Sequence, residues 1–256
     1  MKNKNIIYYE KETDEVINHN VKRKIIDEKY KYIHTNPIYK FWSSFSYYIF
    51  AIPYAFITFK LINKIKFHNL NLIKNLKEGC FIYANHTNKQ ADAFAPALIC
   101  APNRPHIIVN SVNVSFPFIG KLANMWGAIP IPETISATRN FYSKIKKVLD
   151  SNNPIVIYPE AHLWPYFTKI RDFSSTSFFY PIKFNKPVFT FTTVYTKRKL
   201  RKKPKIEIYI DGPFYPNKNL PTKLAQEELK SVVYNTLNNR ADLSNYEYIK
   251  YIKKEN

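Results

Sequence analysis

A histidine and an aspartate six positions apart, His86 and Asp92, interrupt the stretch FIYANHTNKQADAFAPALI at residues 81–99. A solvent turn would explain the polar residues between them. It would not explain an imidazole and an acid at the borders of two apolar runs that belong in a core. A His that follows a strand and an Asp at the head of the next helix can act as a base and its orienter. The carboxylate accepts one ring N–H, fixes the tautomer, and steadies the imidazolium when the other nitrogen takes a proton. General-base help of this kind contributes about 10²–10⁴-fold in rate. Asp92 is the only carboxylate between Glu78 and Glu133, so a local partner for His86 has to be Asp92. The sequence has no GxSxG elbow, and neither cysteine stands in a context for attack. A base without its own nucleophile implies that the substrate brings one: an alcohol, deprotonated by His86, attacking an activated acyl group. The bland alternative is a packed, structural strand-end histidine.

Elements must hold that pair in place, and the chain from residue 65 onward reads as alternating strands and helices. Short apolar runs at 79–86, 105–111, 127–132, 153–160, 186–196 and 205–214 are expected strands. Helices are expected at 92–101, 116–126, 134–151 and 222–238. The third shows Ile135, Phe141, Ile145 and Val148 at helical spacing, and the fourth places Leu224, Leu229, Val232, Val233 and Leu237 on one side. This alternation predicts an α/β fold, a mixed central sheet with helices on its faces. In such sheets function gathers at strand ends and the loops after them. His86 and Glu160 both fall where an expected strand ends.

Before this domain, Phe41 to Phe59 is nineteen uncharged residues between Lys40 and Lys60. A bilayer span needs about 20 apolar residues. Pro53 can kink the run, and its Tyr and Trp suit the interface. Basic residues flank both sides, so a helix pair dipping into one leaflet, a single span and a buried core helix all remain open. The expected organisation is a polar extension at 1–39, a membrane-associated helical segment at 40–66, the catalytic domain at 67–245 and a tail at 246–256. No apolar leader stands near the start, so a cleavable signal peptide is not expected.

Composition narrows the classes. Lys and Arg number 39 against 19 Asp and Glu, a net charge of +20 that draws the chain to a polyanion, nucleic acid or an anionic membrane surface. Seven of the nine residues in KRKLRKKPK, 197–205, are basic: a solvated hairpin tip or a patch for lipid head groups. No RNP motif, zinc finger or helix-turn-helix accompanies it, so no nucleic-acid partner is expected. Four glycines cannot write a P-loop or a Rossmann fingerprint, which argues against nucleotide hydrolysis and dinucleotide redox chemistry. Cys80 and Cys100 read as core thiols, without disulfide or zinc spacing. His19, His34, His68 and His106 have no motif around them.

The motifs resemble those of the membrane-associated glycerolipid acyltransferases, the 1-acyl-glycerol-3-phosphate acyltransferase superfamily. The family's first motif is Asn-His, four residues, then Asp; here Asn85, His86 and Asp92 stand in NHTNKQAD with five residues between. Its third motif is an aromatic-Pro-Glu-Gly-Thr-Arg; Tyr158, Pro159 and Glu160 match, and Ala161, His162 and Leu163 replace the rest. The second motif is echoed by Gly127 to Pro132, with Pro132 in the place of its Arg, and the fourth by Lys186-Pro187-Val188. The resemblance covers roughly residues 40 to 240.

That resemblance implies an O-acyltransferase of phospholipid biosynthesis on the cytoplasmic face of the cell membrane, monotopic or single-span. It implies an acyl-CoA or acyl carrier protein donor and a lysophospholipid acceptor, without metal or cofactor because the thioester is already activated. His86 is then the base and Asp92 its orienter, with Asn85, Glu160 and His162 shaping the acceptor site. Loss of both motif arginines removes the usual phosphate clamps, and Lys89, Arg139 and Arg171 are the candidate replacements. The extra residue before Asp92 would turn a helix by about 100°, so Thr87 to Gln90 are expected to stay non-helical. Trp164 is expected to wall an acyl tunnel or touch membrane. The rival reading is a non-catalytic basic protein that binds lipid or nucleic acid, and within enzymes a same-fold acyltransferase with another acceptor.

Overall fold

The computed structural model describes residues 6–17 and 21–254; His19 lies outside them. In chain order the elements begin with β1 (Ile6–Tyr9), the long helix α1 (Pro37–Ile62), β2 (Lys66–His68) and β3 (Phe81–Ala84). There follow α2 (Lys89–Ile99), β4 (His106–Val109), α3 (Ile119–Met125), β5 (Ala128–Pro130), α4 (Ile135–Asp150) and β6 (Ile155–Ile157). The last are α5 (Phe179–Phe184), β7 (Val188–Thr196), β8 (Lys205–Phe214), α6 (Thr222–Ala241) and β9 (Lys250–Lys253).

Seven strands form one sheet in the order β2-β8-β7-β3-β6-β4-β5. Every neighbouring pair is parallel except the β7–β8 hairpin. β3 and β6 sit in the middle with all side chains buried, which is why they read as unbroken apolar runs rather than alternating ones. Phe81, Tyr83, Ile155 and Ile157 pack on Phe141 and Ile145 of α4 and Leu229 and Val233 of α6. Ile82, Ala84 and Val156 face the other way, onto Ala91 and Ala95 of α2 and Phe59 of α1. Gly127 enters β5 at φ 109, and an added Cβ would stand 2.8 Å from the Pro105 carbonyl oxygen, so only glycine fits this turn.

Two helix faces differ from expectation. Thr134 caps α4 by accepting from the Ala137 N–H, and the buried row starts at Ala137, leaving Ile135 94 % exposed. On α6 the buried row is Ala225, Leu229, Val233, Leu237 and Ala241, four apart. Leu224 and Val232 point outward, because the small residues at 225 and 241 extend the close-packed side.

α1 is one continuous helix, not a pair. Ser43, Tyr47, Ala51, Ala55 and Phe59 are buried, again four apart. A regular α-helix would rotate such a row by about 40° at each step. The wider π turns at Tyr47–Ala51 and Phe56–Ile62 bring it back into line. Between them Pro53, which has no N–H to donate, is accommodated without a break. The row seats on α2: Tyr47 and Ala51 pack on Ala97, and the Tyr54 ring meets Phe94 at 4.9 Å. α1 therefore runs antiparallel to α2, and its far side exposes Phe41, Trp42, Phe45, Phe50, Ile57 and Leu61.

The N-terminal extension and the tail are built into the fold. β1 and β9 pair in parallel as a two-stranded sheet. The chain around residues 23–33 runs along the edge strand β5, where Glu133 N–H donates to the Ile26 carbonyl and Tyr32 Oη to that of Pro130. It covers an edge that would otherwise offer unpaired backbone groups.

Candidate active site

Because β3 and β6 lie side by side in parallel, the segments after Ala84 and Ile157 leave the sheet at the same edge. Asn85 is buried, and its side-chain amide accepts from the Thr193 N–H at 2.8 Å and donates to the Thr193 carbonyl at 3.0 Å. It continues the pairing of β3 with β7 by one side chain, and so belongs to the scaffold rather than to the open cleft. Thr87 is fixed on the other side: Tyr195 Oη lies 2.7 Å from its hydroxyl, and its carbonyl accepts from the Tyr166 N–H at 2.8 Å. With both neighbours held and its own carbonyl accepting from Trp164 N–H at 3.0 Å, His86 has little freedom.

His86 Nδ1 lies 2.8 Å from Asp92 Oδ2. The same carboxylate oxygen accepts the Asn88 N–H at 2.9 Å. Tyr158 closes the arrangement by stacking on the imidazole at 4.6 Å and donating its hydroxyl to the Asp92 carbonyl at 2.6 Å. Burial pushes the Asp92 carboxyl up, against the opposing bonds from His86 and the backbone of Asn88 and Thr87. A carboxylate in that position favours the tautomer with the proton on Nδ1, which leaves Nε2 as the free base. The His86 side chain is 23 % exposed, and Nε2 has no partner among the described residues.

The expectation that Thr87 to Gln90 stay non-helical is corrected. α2 starts at Lys89, so Lys89 and Gln90 are helical, and only Thr87 and Asn88 absorb the extra residue. Asn88 does so in an extended conformation, φ −142, and caps the helix by accepting from the Ala91 N–H. Asp92 then falls in the first turn and faces back toward His86.

The Glu160 loop is arranged differently. Glu160 Oε2 receives Arg171 Nε at 2.9 Å and Nη2 at 2.7 Å. Arg171 also donates to the carbonyls of Glu12 and His162 and lies over the Trp164 ring. Both side chains are closed to solvent, at 1 % and 0 % exposure. Burial drives the Glu160 carboxyl up to about 7, against the pull of Arg171. Arg171 pairs neither with Asp172, which bonds Lys230, nor with solvent, and little of its fork is left for a phosphate. Trp164 is likewise corrected: it is fully buried. It stacks on Tyr251 of β9, meets Tyr9 of β1 edge-on, and donates Nε1 to the Asp14 carbonyl, so it ties the termini to this loop instead of lining a tunnel.

The remaining expected residues are more open. Lys89 is exposed at the start of α2, and Arg139 is exposed near the start of α4 without a side-chain bond among the described residues. His162 is half-buried, and its ring makes no hydrogen bond among the described residues. Elsewhere His34 stacks on Tyr39, His68 pairs with Glu207, and His106 sits at the base of β4. Among the described residues no cluster of three or more His, Cys, Asp or Glu side chains could hold a metal. Two contributors escaped the sequence reading. Tyr195 looks like one more apolar strand residue. Arg23 reaches the ends of β4 and β5, where Nε bonds Ser111 Oγ at 2.6 Å and Glu133 at 3.2 Å, and only the fold brings it there.

A mixed α/β sheet whose strand ends present an imidazole bonded to a buried carboxylate, with one ring nitrogen open, is an arrangement that can serve general-base chemistry. The chain matches the Acyltransferase family over residues 64–194 and belongs to that family. Its fold is similar to the crystal structure of the 1-acyl-sn-glycerophosphate acyltransferase PlsC from Thermotoga maritima. The two share 14 % identity with a TM-score of 0.50, over 79 % of this chain and 94 % of that one. No curated protein matches the sequence.

Proposed function

We propose that this acyltransferase moves a fatty acyl chain from acyl-CoA or acyl carrier protein to the free hydroxyl of a lysophospholipid. The acceptor to test first is 1-acyl-glycerol-3-phosphate. The observation that carries the reading is the 2.8 Å bond between His86 Nδ1 and Asp92 with Nε2 left open. Nε2 takes the acceptor hydroxyl proton as that oxygen attacks the thioester carbonyl. A C–O bond forms, and the carbonyl electron pair moves onto oxygen. The first-turn N–H groups of Lys89 and Gln90 have no i−4 partner inside α2, and we assign them to the oxyanion. Collapse expels the thiolate, which takes the proton back from Nε2. Glu160, held by Arg171, shapes the acceptor side, and Lys89, His162, Arg139 and Arg23 are the groups open to its phosphate.

The same reading places the protein on one leaflet of the cell membrane, at its cytoplasmic face. α1 has 26 residues, about 39 Å at 1.5 Å per residue. One side is packed on the domain from Ser43 to Phe59 while the other exposes aromatic and aliphatic groups. A lone spanning helix meets lipid on all sides; this one, with one side packed on the domain, fits a helix lying along the interface. Arg198 of the basic 197–205 hairpin donates to the Asn63 carbonyl just past α1, so that hairpin adjoins the apolar helix and faces the same anionic surface.

The test is His86→Ala in the purified protein, with labelled acyl donors offered against a panel of lysolipids and liposome flotation in parallel. Transfer is lost and liposome binding is kept. Transfer that persists overturns the mechanism; transfer to a different acceptor replaces only the assigned substrate.

A further inference from the structure

Uncompensated positive charge gathers at the opposite edge of the sheet. β4 and β5 begin there, at His106 and Ala128. With the chain around 30–34, the start of α1 and the side of α4, they enclose a cavity of about 220 Å³. Lys31, Lys40, Arg104, Lys144 and Lys147 line it, and among the described residues no Asp or Glu does. Since β3 and β4 both run parallel to β6, His106 at the head of β4 and His86 beyond the end of β3 mark opposite ends of the sheet. The cavity is therefore separate from the catalytic edge.

Lysines are abundant in this chain, and on a surface they need no account. Buried ones do. Arg104 donates Nη2 to Ser43 Oγ at 3.1 Å and lies over the Tyr47 ring at 4.5 Å, yet its Nε is buried without an acceptor among the described residues. The Lys144 ammonium has no acceptor among the described residues. Burial, reinforced by Arg104 and Lys147, pulls its pKa down to about 8. His106 is pushed well down by burial and the same two cations, Lys144 and Arg104. Like charges half-withdrawn from water without a counter-charge among the described residues are unfavourable, so the arrangement favours an anion arriving from outside.

The surroundings say which anion. Lys40, Ser43 and Ser44 of the cavity wall belong to the first turns of α1, whose other side exposes Ile38, Phe41, Trp42 and Phe45. On the membrane reading proposed above, on which this inference rests, those apolar groups enter lipid and hold the cavity mouth at the level of head groups. We infer that this cavity binds a phosphate group, supplied by the head group of an anionic phospholipid beside α1. Arg104 and Lys144 grip the oxygens, and Tyr39 and Ser44 offer hydroxyls.

The test uses the full-length protein. Thermal melts are run with inorganic phosphate against chloride at matched ionic strength, and binding is measured on phosphatidylcholine vesicles with and without phosphatidylglycerol. Phosphate raises the wild-type melting temperature more than chloride does. In Lys144→Gln the apparent phosphate affinity falls about tenfold, the scale of one charge-assisted contact. Lys218→Gln, the same charge change on an exposed loop, leaves it unchanged. Without phosphate Lys144→Gln melts no lower than wild type, because an unbalanced, half-buried cation is gone, so the loss cannot be put down to misfolding. Arg104→Lys keeps the charge but loses the fork and also weakens binding. A phosphate response equal to that of chloride, or unchanged in Lys144→Gln, overturns the site. If Lys144→Gln loses vesicle binding beyond Lys218→Gln only when phosphatidylglycerol is present, the lipid is the source. If the two variants bind vesicles alike while the phosphate response is lost, the ligand is a soluble phosphate and the lipid assignment fails.

Discussion

The His86–Asp92 and Glu160–Arg171 pairs are alike in parts and opposite in exposure. Each joins a buried carboxylate to a nitrogen base at 2.7–2.9 Å, and in each burial raises the acid against the pull of its partner. The difference is on the far side of the base. His86 keeps 23 % of its side chain in the open with Nε2 unengaged, whereas Arg171 is 1 % exposed and its fork also bonds two carbonyls. A pair that leaves a nitrogen open can exchange a proton with a substrate. A pair closed on every side holds a loop in shape. Residue types alone do not distinguish the two; the solvent-facing atom does.

Changing one member of each pair should therefore separate activity from stability. The largest effect is expected from His86→Gln, with acyl transfer falling about 10²–10⁴-fold and the melting temperature staying close to wild type. Steady-state rates and a thermal melt on the same sample check it. Arg171→Met should do the reverse. It takes the counter-charge from a carboxyl that burial already pushes up, and breaking such a buried pair costs about 3–5 kcal/mol, a drop on the order of 10 °C for a chain of this size. The double change Glu160→Gln with Arg171→Met recovers part of that loss, since no buried charge remains unpaired. If Arg171→Met instead keeps its melting temperature and loses only acceptor affinity, Arg171 is a substrate ligand and the contrast between the pairs collapses.

Asn85 tests the scaffold beneath the first pair. Asn85→Ala removes two buried bonds to Thr193 and leaves that N–H and carbonyl unmatched, a loss of about 1–3 kcal/mol. Because Asn85 adjoins His86, the rate should fall as well, but by less than in His86→Gln. A melt together with a rate measurement shows whether the two effects travel together.

The sequence made the sheet legible because β3 and β6 are apolar at every position and their helices carry regular apolar rows. It made His86 and Asp92 legible because Asp92 was the sole acid within reach. The surroundings of Arg171 and Trp164 were not legible for a common reason: their partners, Glu12, Asp14, Tyr9 and Tyr251, come from the two ends of the chain, and no local pattern links positions so distant. The cavity around Arg104 and Lys144 was hidden likewise, since its walls come from five separate stretches that only the folded sheet brings together. The row on α1 was obscured by its period of four, which matches neither an α-helix nor a strand.

The smallest expected effect lies in the turn that joins the two pairs. Ala161 follows Glu160 at φ 64, in the left-handed region where a Cβ is strained by about 1–2 kcal/mol. Glycine removes that strain but gains freedom in the unfolded chain, which offsets part of the benefit. Ala161→Gly should therefore raise stability by roughly 0.5–1 kcal/mol, a shift of a few degrees, with an unchanged rate, since Tyr158 and Glu160 keep their bonds. Gly127→Ala is the mirror experiment: at φ 109, with a Cβ 2.8 Å from the Pro105 carbonyl oxygen, it should lose stability. Should Ala161→Gly melt lower than wild type, the alanine methyl is packing the loop against its neighbours, and the Glu160–Arg171 side is held by more than its ion pair.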